Sequence, residues 1–378
     1  MRSGREKLFL AALIGLFLAA GLSLLPVPFT RDQGIYAYNG WRWLAGASLY
    51  RDSFGHKGPL LYLVYAVFLK LSGGAMWGPN LADLLSRTLT VALAYALGRE
   101  LRGGRAGLYS ALLTALPLFG IFNSCWWNAQ AETFIMPLFT GSAALVLIGL
   151  SRQRPGLFLF AGAVAGQAAM LKLNALSHLG FLFLFLFAIL FADKKSSRSG
   201  RAFALRSLAL FLLGAAAGLL PWIIYLAASG SLVPMWELTV VFNSFHVQAA
   251  LRNFEGSLAA LFLRRFWTTF HLIPVLILFA FFRAGPDRAV RSRELLFIFG
   301  FVLFSFLNLL FQARFFLYHY LVLVPAVGLA AGVGLDSLQT ALGKLSAGKL
   351  ARPAVLLIAA WLVLSFGWTW VLIHRSYR

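Results

Sequence analysis

Two carboxylates and a handful of cations stand where this sequence could do chemistry. Asp32 sits in the run Phe29-Thr-Arg-Asp-Gln-Gly-Ile-Tyr36, and Glu132 closes Asn123-Ser-Cys-Trp-Trp-Asn-Ala-Gln-Ala-Glu just before a long apolar stretch. Carboxylates on separate segments suit the activation and orientation of an acceptor hydroxyl, one taking its proton and the other holding it. Each also has a plainer reading, as the cap of the helix that follows. A helix is expected over 33–45, and Thr30 and Gln33 have the spacing of a capping box ahead of it. That helix terminus and the neighbouring Arg31 would both favour the ionised form of Asp32.

The cations fall in three places. Tyr50-Arg-Asp-Ser-Phe-Gly-His-Lys-Gly-Pro-Leu-Leu-Tyr62 sets Arg51, His56 and Lys57 before an apolar run. Lys172 lies within Met170-Leu-Lys-Leu-Asn174, and Gln312-Ala-Arg-Phe-Phe-Leu-Tyr-His-Tyr320 carries Arg314, Tyr318, His319 and Tyr320. An Arg fork and a Lys point charge both match phosphate oxygens. An aromatic belt at a membrane surface explains the tyrosines equally well, and Arg42 between Trp41 and Trp43 reads naturally as an interfacial anchor. Asp83 and Arg87 have i,i+4 spacing and should neutralise one another. With one cysteine, Cys125, and no HExxH or other His spacing, no metal site or disulfide is expected.

The elements that must position these residues are membrane helices. Of 378 residues, 60% are hydrophobic and 12% charged, with a mean hydropathy of +0.80. Leu8–Leu25, Phe134–Leu150, Phe203–Leu226 and Val355–Ile373 are apolar runs of the length that crosses hydrocarbon, about 20 residues. About eleven helices are expected, over 8–25, 79–98, 107–122, 133–150, 157–171, 176–192, 203–226, 266–283, 294–312, 317–335 and 354–373. The first is expected to be retained rather than removed as a signal peptide.

The net charge of +21 comes in short basic clusters at every second connection, among them Arg99, Arg102 and Arg105, then Arg152 and Arg154. This positive-inside pattern puts the amino terminus in the cytoplasm and the carboxyl terminus outside. It is unlike a nucleic-acid footprint, so no nucleic-acid partner is expected. Residues 26–78 then begin and end outside, and Leu60–Leu71 should lie along the membrane surface or dip into it. Arg31, Arg42, Arg51 and Lys57 sit in that outer loop against the orientation rule, so an anion should compensate them, and a lipid phosphate is the natural one. The whole of 1–378 reads as a single polytopic membrane domain with no soluble domain. Its outer loop 26–78 carries the polar motif, and the outer loop 227–265 is long enough to cover a substrate.

The segment Asp32-Gln-Gly-Ile-Tyr-Ala-Tyr, with Tyr50-Arg-Asp-Ser-Phe-Gly-His-Lys-Gly-Pro-Leu-Leu-Tyr62, resembles the first outer loop of C-type (GT-C) membrane glycosyltransferases. The branch is the bacterial one similar to protein O-mannosyltransferases and lipid A aminoarabinose transferases. Its usual text is Asp-Glu, then a basic residue before Pro-Pro-Leu-Leu-Tyr. Arg314-Phe-Phe-Leu-Tyr-His-Tyr-Leu, with Pro325 downstream, resembles that branch's late motif, and Lys172 stands where it often has Thr-Lys.

The resemblance implies an all-α GT-C fold with juxtamembrane helices in the first outer loop. It further implies an inverting transfer from a polyprenyl-phosphate-linked sugar to a hydroxyl of a glycan, lipid or protein, at the outer face of the cytoplasmic membrane. Asp32 would be the base and Glu132 the second acid that positions the acceptor. Lys57 and Arg314 would neutralise the departing lipid phosphate, joined by His56 and Lys172, with Arg51, Tyr36, His319 and Tyr320 in the substrate-binding set. Three departures stand out. Gln33 replaces the common Glu, which weighs against a divalent metal, so no cofactor is expected. Gly58 replaces the first Pro, and the outer soluble domain of many relatives is missing.

Two other classes fit a polytopic chain: a transporter or flippase of lipid-linked sugars, and a non-catalytic subunit of an envelope-polysaccharide complex. Transporters place charges at the midplane of broken helices. Here the charges gather at one face, which favours surface chemistry.

Overall fold

The computed structural model describes residues 2–119, 129–191, 198–252, 257–271, 273–281, 288–312 and 315–345, with isolated positions between 353 and 364. All elements among them are helical. The first half contains α1 (Arg2–Leu22), α2 (Arg31–Leu44), α3 (Pro59–Leu71), α4 (Trp77–Arg102), α5 (Gly104–Phe119), α6 (Ala131–Ser151) and α7 (Gly156–Ala169). The second contains α8 (Leu176–Phe191), α9 (Arg198–Ala228), α10 (Leu232–Trp236), α11 (Phe242–Arg252), α12 (Leu258–Phe270), α13 (Ile273–Ile277), α14 (Arg288–Leu310) and α15 (Val324–Leu345).

Six of the described helices are long and apolar enough to cross a membrane, namely α4, α6, α8 with its lead-in, α9, α14 and α15 with its lead-in. Over their described residues the expected spans up to 335 fall on helix with one exception, while 120–122 and 192 lie outside the described residues. Residues 266–283 are not one straight helix, because α12 ends at Phe270 and its cap, His271, has a φ of +49° in the left-handed region. The chain then resumes as α13 and a 3-10 turn inclined to α12 by 81°. The expected helix 354–373 lies almost wholly outside the described residues. As expected, Leu60–Leu71 forms only a short apolar helix, α3, of 13 residues.

Two sets of contacts fix the frame around the site. The tightest pairing is α7 against α9, where Gly162 and Gly166 face Gly214 and Gly218. A Cβ on Gly162 would come within 1.9 Å of the Phe211 carbonyl oxygen, and one on Gly218 within 2.4 Å of that of Ala163. Such small-residue spacing lets two membrane helices touch backbone to backbone. It anchors α7, whose carboxyl end delivers Met170, Leu171 and Lys172. At the opposite end of the bundle Arg102, in the last turn of α4, pairs with Glu294 of α14 and donates to the Val333 carbonyl of α15 at 3.1 Å. A guanidinium there satisfies three helices at once.

Candidate active site

A cavity of about 560 Å³ opens at the end of the bundle where α2, α3, α6 and α8 begin and α7 and α14 finish. Thr30, Arg31, Asp32, His56, Lys57 and Lys172 contribute to its wall. Gln312, Tyr318 and His319 add to it from the segment after α14. Its cations are Arg31, Lys57 and Lys172, two histidines stand beside them, and Asp32 is the one carboxylate on the wall among the described residues.

Helix α2 places Asp32. The helix starts at Arg31, two residues earlier than expected, with Thr30 as its N-cap and Gln33 Oε1 accepting the Thr30 backbone N–H at 3.1 Å. Capping is therefore done by Thr30 and Gln33. Asp32 is left inside the first turn, half-buried, where its Oδ2 accepts from the Tyr318 hydroxyl at 3.4 Å. The replacement of Glu by Gln at 33 also has a structural reason. Asn80 spends both amide hydrogens on the carbonyls of Leu25 and Val27, each at 2.9 Å. Its Oδ1 then needs a donor, which Gln33 Nε2 supplies at 3.1 Å and a carboxylate could not.

The backbone around Gly58 places Lys57. The Gly58 N–H donates to the Leu171 carbonyl at 2.9 Å and the Leu60 N–H to that of Met170 at 3.0 Å. A Cβ at 58 would lie 2.0 Å from the Met170 oxygen, and a proline would lose the first of these bonds. Gly58 thus lets the two lysine-bearing segments run in contact. Tyr50 and Tyr62 complete the clamp: the Tyr50 hydroxyl donates to the Lys57 carbonyl at 2.7 Å, and the Lys57 N–H donates to the Tyr62 oxygen at 3.1 Å. Burial pushes the Tyr50 phenol well above its ordinary pKa, so it remains a donor at neutral pH.

Lys172 reaches the cavity from the turn between α7 and α8. Its ammonium donates to Glu132 Oε1 at 2.6 Å and to the Gln312 side chain. Glu132 itself is fully buried in the first turn of α6. Gln312 is held in turn by Asn308, whose side chain exchanges bonds with Asn174.

The expected site residues thus separate into two groups. Asp32, His56, Lys57, Lys172 and His319 share the cavity. Glu132 stands behind Lys172. Tyr36 is buried behind the wall with its hydroxyl on Gln130 at 3.1 Å, and burial, helped by Asp32, Tyr318 and Glu132, raises its pKa well above normal. Tyr320 is buried with its hydroxyl on the Phe262 carbonyl at 3.0 Å. Arg51 is exposed outside the wall, bonded to Asp52 and to the Ser229 carbonyl at 3.0 Å. Arg314 lies outside the described residues. Sequence reasoning gave no role to Gln130, Asn174, Thr239, Asn243 or Gln312. Being uncharged, they raise no signal against a polar loop.

The geometry agrees with what the chain is similar to. A family profile described as dolichyl-phosphate-mannose-protein mannosyltransferase matches residues 56–225, somewhat under half of the chain. The crystal structure of ArnT from Cupriavidus metallidurans bound to undecaprenyl phosphate superposes with a TM-score of 0.64 at 19% identity, over 97% of this chain and 70% of that one. By fold, the chain is similar to the GT-C membrane glycosyltransferases. The archaeal oligosaccharyltransferase AglB from Archaeoglobus fulgidus, in complex with an inhibitory peptide and a dolichol-phosphate, has the same GT-C fold. It matches with a TM-score of 0.63 at 13% identity, over 98% of this chain but 56% of that one. No curated protein sequence matches.

Proposed function

We propose that the chain is an inverting glycosyltransferase that moves a sugar from a polyprenyl-phosphate donor to a hydroxyl acceptor at the outer face of the cytoplasmic membrane. The observation that carries this reading is the charge of the cavity wall. Arg31, Lys57 and Lys172, with His56 and His319, face a space that has Asp32 as its one described carboxylate. Such a wall suits a phosphate, and preorganised cations act most strongly where negative charge develops. The carriers named with the two similar structures, undecaprenyl phosphate and dolichol-phosphate, are of that chemistry.

In the reaction, the acceptor oxygen forms a bond to the anomeric carbon from the face opposite the phosphate. The bond from that carbon to the phosphate oxygen breaks, and the phosphate leaves on its lipid. The hydroxyl proton goes to Asp32, the carboxylate that the first turn of α2 sets on the cavity wall. Lys57, held at both sides by Tyr50 and Tyr62, stabilises the leaving phosphate. The helical stretch 232–252 adds Thr239, Phe242, Asn243 and Val247 to the wall. Its π-helical turn, Glu237–Val241, sets Thr239 and Asn243 toward the cavity, and Asn243 Nδ2 donates to the His56 carbonyl at 3.1 Å. The proposal includes no cofactor.

The test is a radiolabelled transfer assay on purified protein with defined polyprenyl-phosphate sugars and lipid, glycan or peptide acceptors. Label moving to an acceptor in a strictly donor-dependent way is the expected result. Failure with every donor, alongside sugar-lipid translocation in sealed vesicles, would replace the reading with transport.

A further inference from the structure

We infer that Glu132 does not act on the acceptor but is a positioning residue, holding the Lys172 ammonium so that it meets the anionic part of the donor. The inference rests on the proposed function above and gives that site one more working cation.

Three observations carry it. Glu132 is fully buried and absent from the cavity wall, whereas Lys172 is on the wall with 17% of its side chain exposed. A group sealed behind another cannot touch a substrate that fills the cavity. An ammonium has three donors, and Lys172 uses two, on Glu132 Oε1 and Gln312 Oε1, among the described residues. These two partners lie on α6 and just past α14, so they fix the nitrogen from two sides and leave one hydrogen for a ligand. The anchoring continues outward: Gln312 Nε2 donates to Asn308 Oδ1 at 3.3 Å, and Asn308 Nδ2 to the Asn174 carbonyl at 2.9 Å. Nothing in this ladder carries charge, so among the described residues the anion placed against Lys172 is Glu132.

Loss of Glu132 should therefore appear as loss of Lys172. Without Glu132, the ammonium loses the carboxylate that fixes it from the α6 side, and its remaining hydrogen is no longer aimed into the cavity.

The experiment measures undecaprenyl phosphate binding and thermal melting for the full chain and for Lys172→Met, Glu132→Gln, Glu132→Asp and the Lys172→Met, Glu132→Gln double variant. Lys172→Met and Glu132→Gln should each weaken binding by about 10-fold or more, the size of a lost charge-assisted contact. Glu132→Asp, which keeps the carboxylate, should recover part of the binding, and the double variant should bind no worse than Lys172→Met. The double variant should also melt above Lys172→Met, which leaves a buried carboxylate unpaired. Wild-type binding by Glu132→Gln, or losses that multiply in the double variant, would overturn the assignment. If the wild type itself does not bind undecaprenyl phosphate, the functional reading fails. The pair is then judged by melting, and a double variant melting no higher than Lys172→Met sinks it separately.

Discussion

Asp83–Arg87 and Glu132–Lys172 are both buried pairs of a carboxylate and a cation, and they are built in opposite ways. The first closes within one turn of α4: Arg87 Nε donates to Asp83 Oδ2 at 2.6 Å and Nη2 to Oδ1 at 3.2 Å, with side chains 0% and 2% exposed. The second joins residues on different elements, with the carboxylate sealed and the ammonium turned to a cavity. A fork spent on its own helix neutralises charge in the bundle. A point charge bridging two elements and facing open space keeps a donor for something else. Burial alone therefore does not tell a structural ion pair from a working one. What distinguishes them is whether the cation still has a cavity in front of it.

Four substitutions sharpen or break that contrast, in order of expected effect. Asp32→Asn, on the cavity wall, should lower the single-turnover transfer rate by about 10²–10⁴ with an unchanged melting curve, as loss of a general base does. Transfer within a few-fold of wild type would reduce Asp32 to a turn residue of α2. Arg87→Met should cost about 3–5 kcal/mol of stability by stranding Asp83, with donor affinity in the surviving fold unchanged; denaturation in detergent against donor titration separates the two. Lys57→Ala should weaken undecaprenyl phosphate binding by roughly 10-fold, since a charge-assisted contact contributes about 1.5–3 kcal/mol, with little change in melting. An equal loss of melting temperature and affinity would make Lys57 a structural cation like Arg87. Asp52→Asn should do least. The Arg51–Asp52 pair is exposed and outside the cavity, and although Arg51 holds the Asp52 carboxyl below its usual pKa, solvent screens the gain. A clear drop in transfer there would draw Arg51 back into the substrate-binding set.

Much of this site was legible in the sequence because charge is conspicuous in an apolar chain. Asp32, Lys57 and Lys172 announce themselves by standing against the orientation rule or at the end of an apolar run. The pairing of Asp83 with Arg87 follows from spacing alone. The short α3 followed from parity and length. The rest depends on tertiary packing. No local signal shows that Glu132 would be sealed behind a lysine 40 residues later, or that Arg51 would turn outward to the Ser229 carbonyl. Gln33 and Gly58 read as departures from a motif, and only the contacts with Asn80 and Met170 give them a reason. The break at His271 was missed because the window as a whole stays apolar, although Thr268 and Thr269 before it and Pro274 after it do interrupt the run.

The central claim, that the cavity beside Asp32 and Lys57 receives the phosphate of a carrier lipid, is tested most directly by photo-crosslinking. A polyprenyl phosphate with a photoactivatable group next to the phosphate would be irradiated with the purified protein, and the adducts mapped by peptide mass spectrometry. The account predicts adducts within 54–58, 172–174 and 311–319, all suppressed by excess undecaprenyl phosphate and weakened in Lys57→Ala. Adducts confined to the opposite end of the bundle, near Arg102 and Glu294, or adducts at the cavity that excess carrier does not displace, would contradict it.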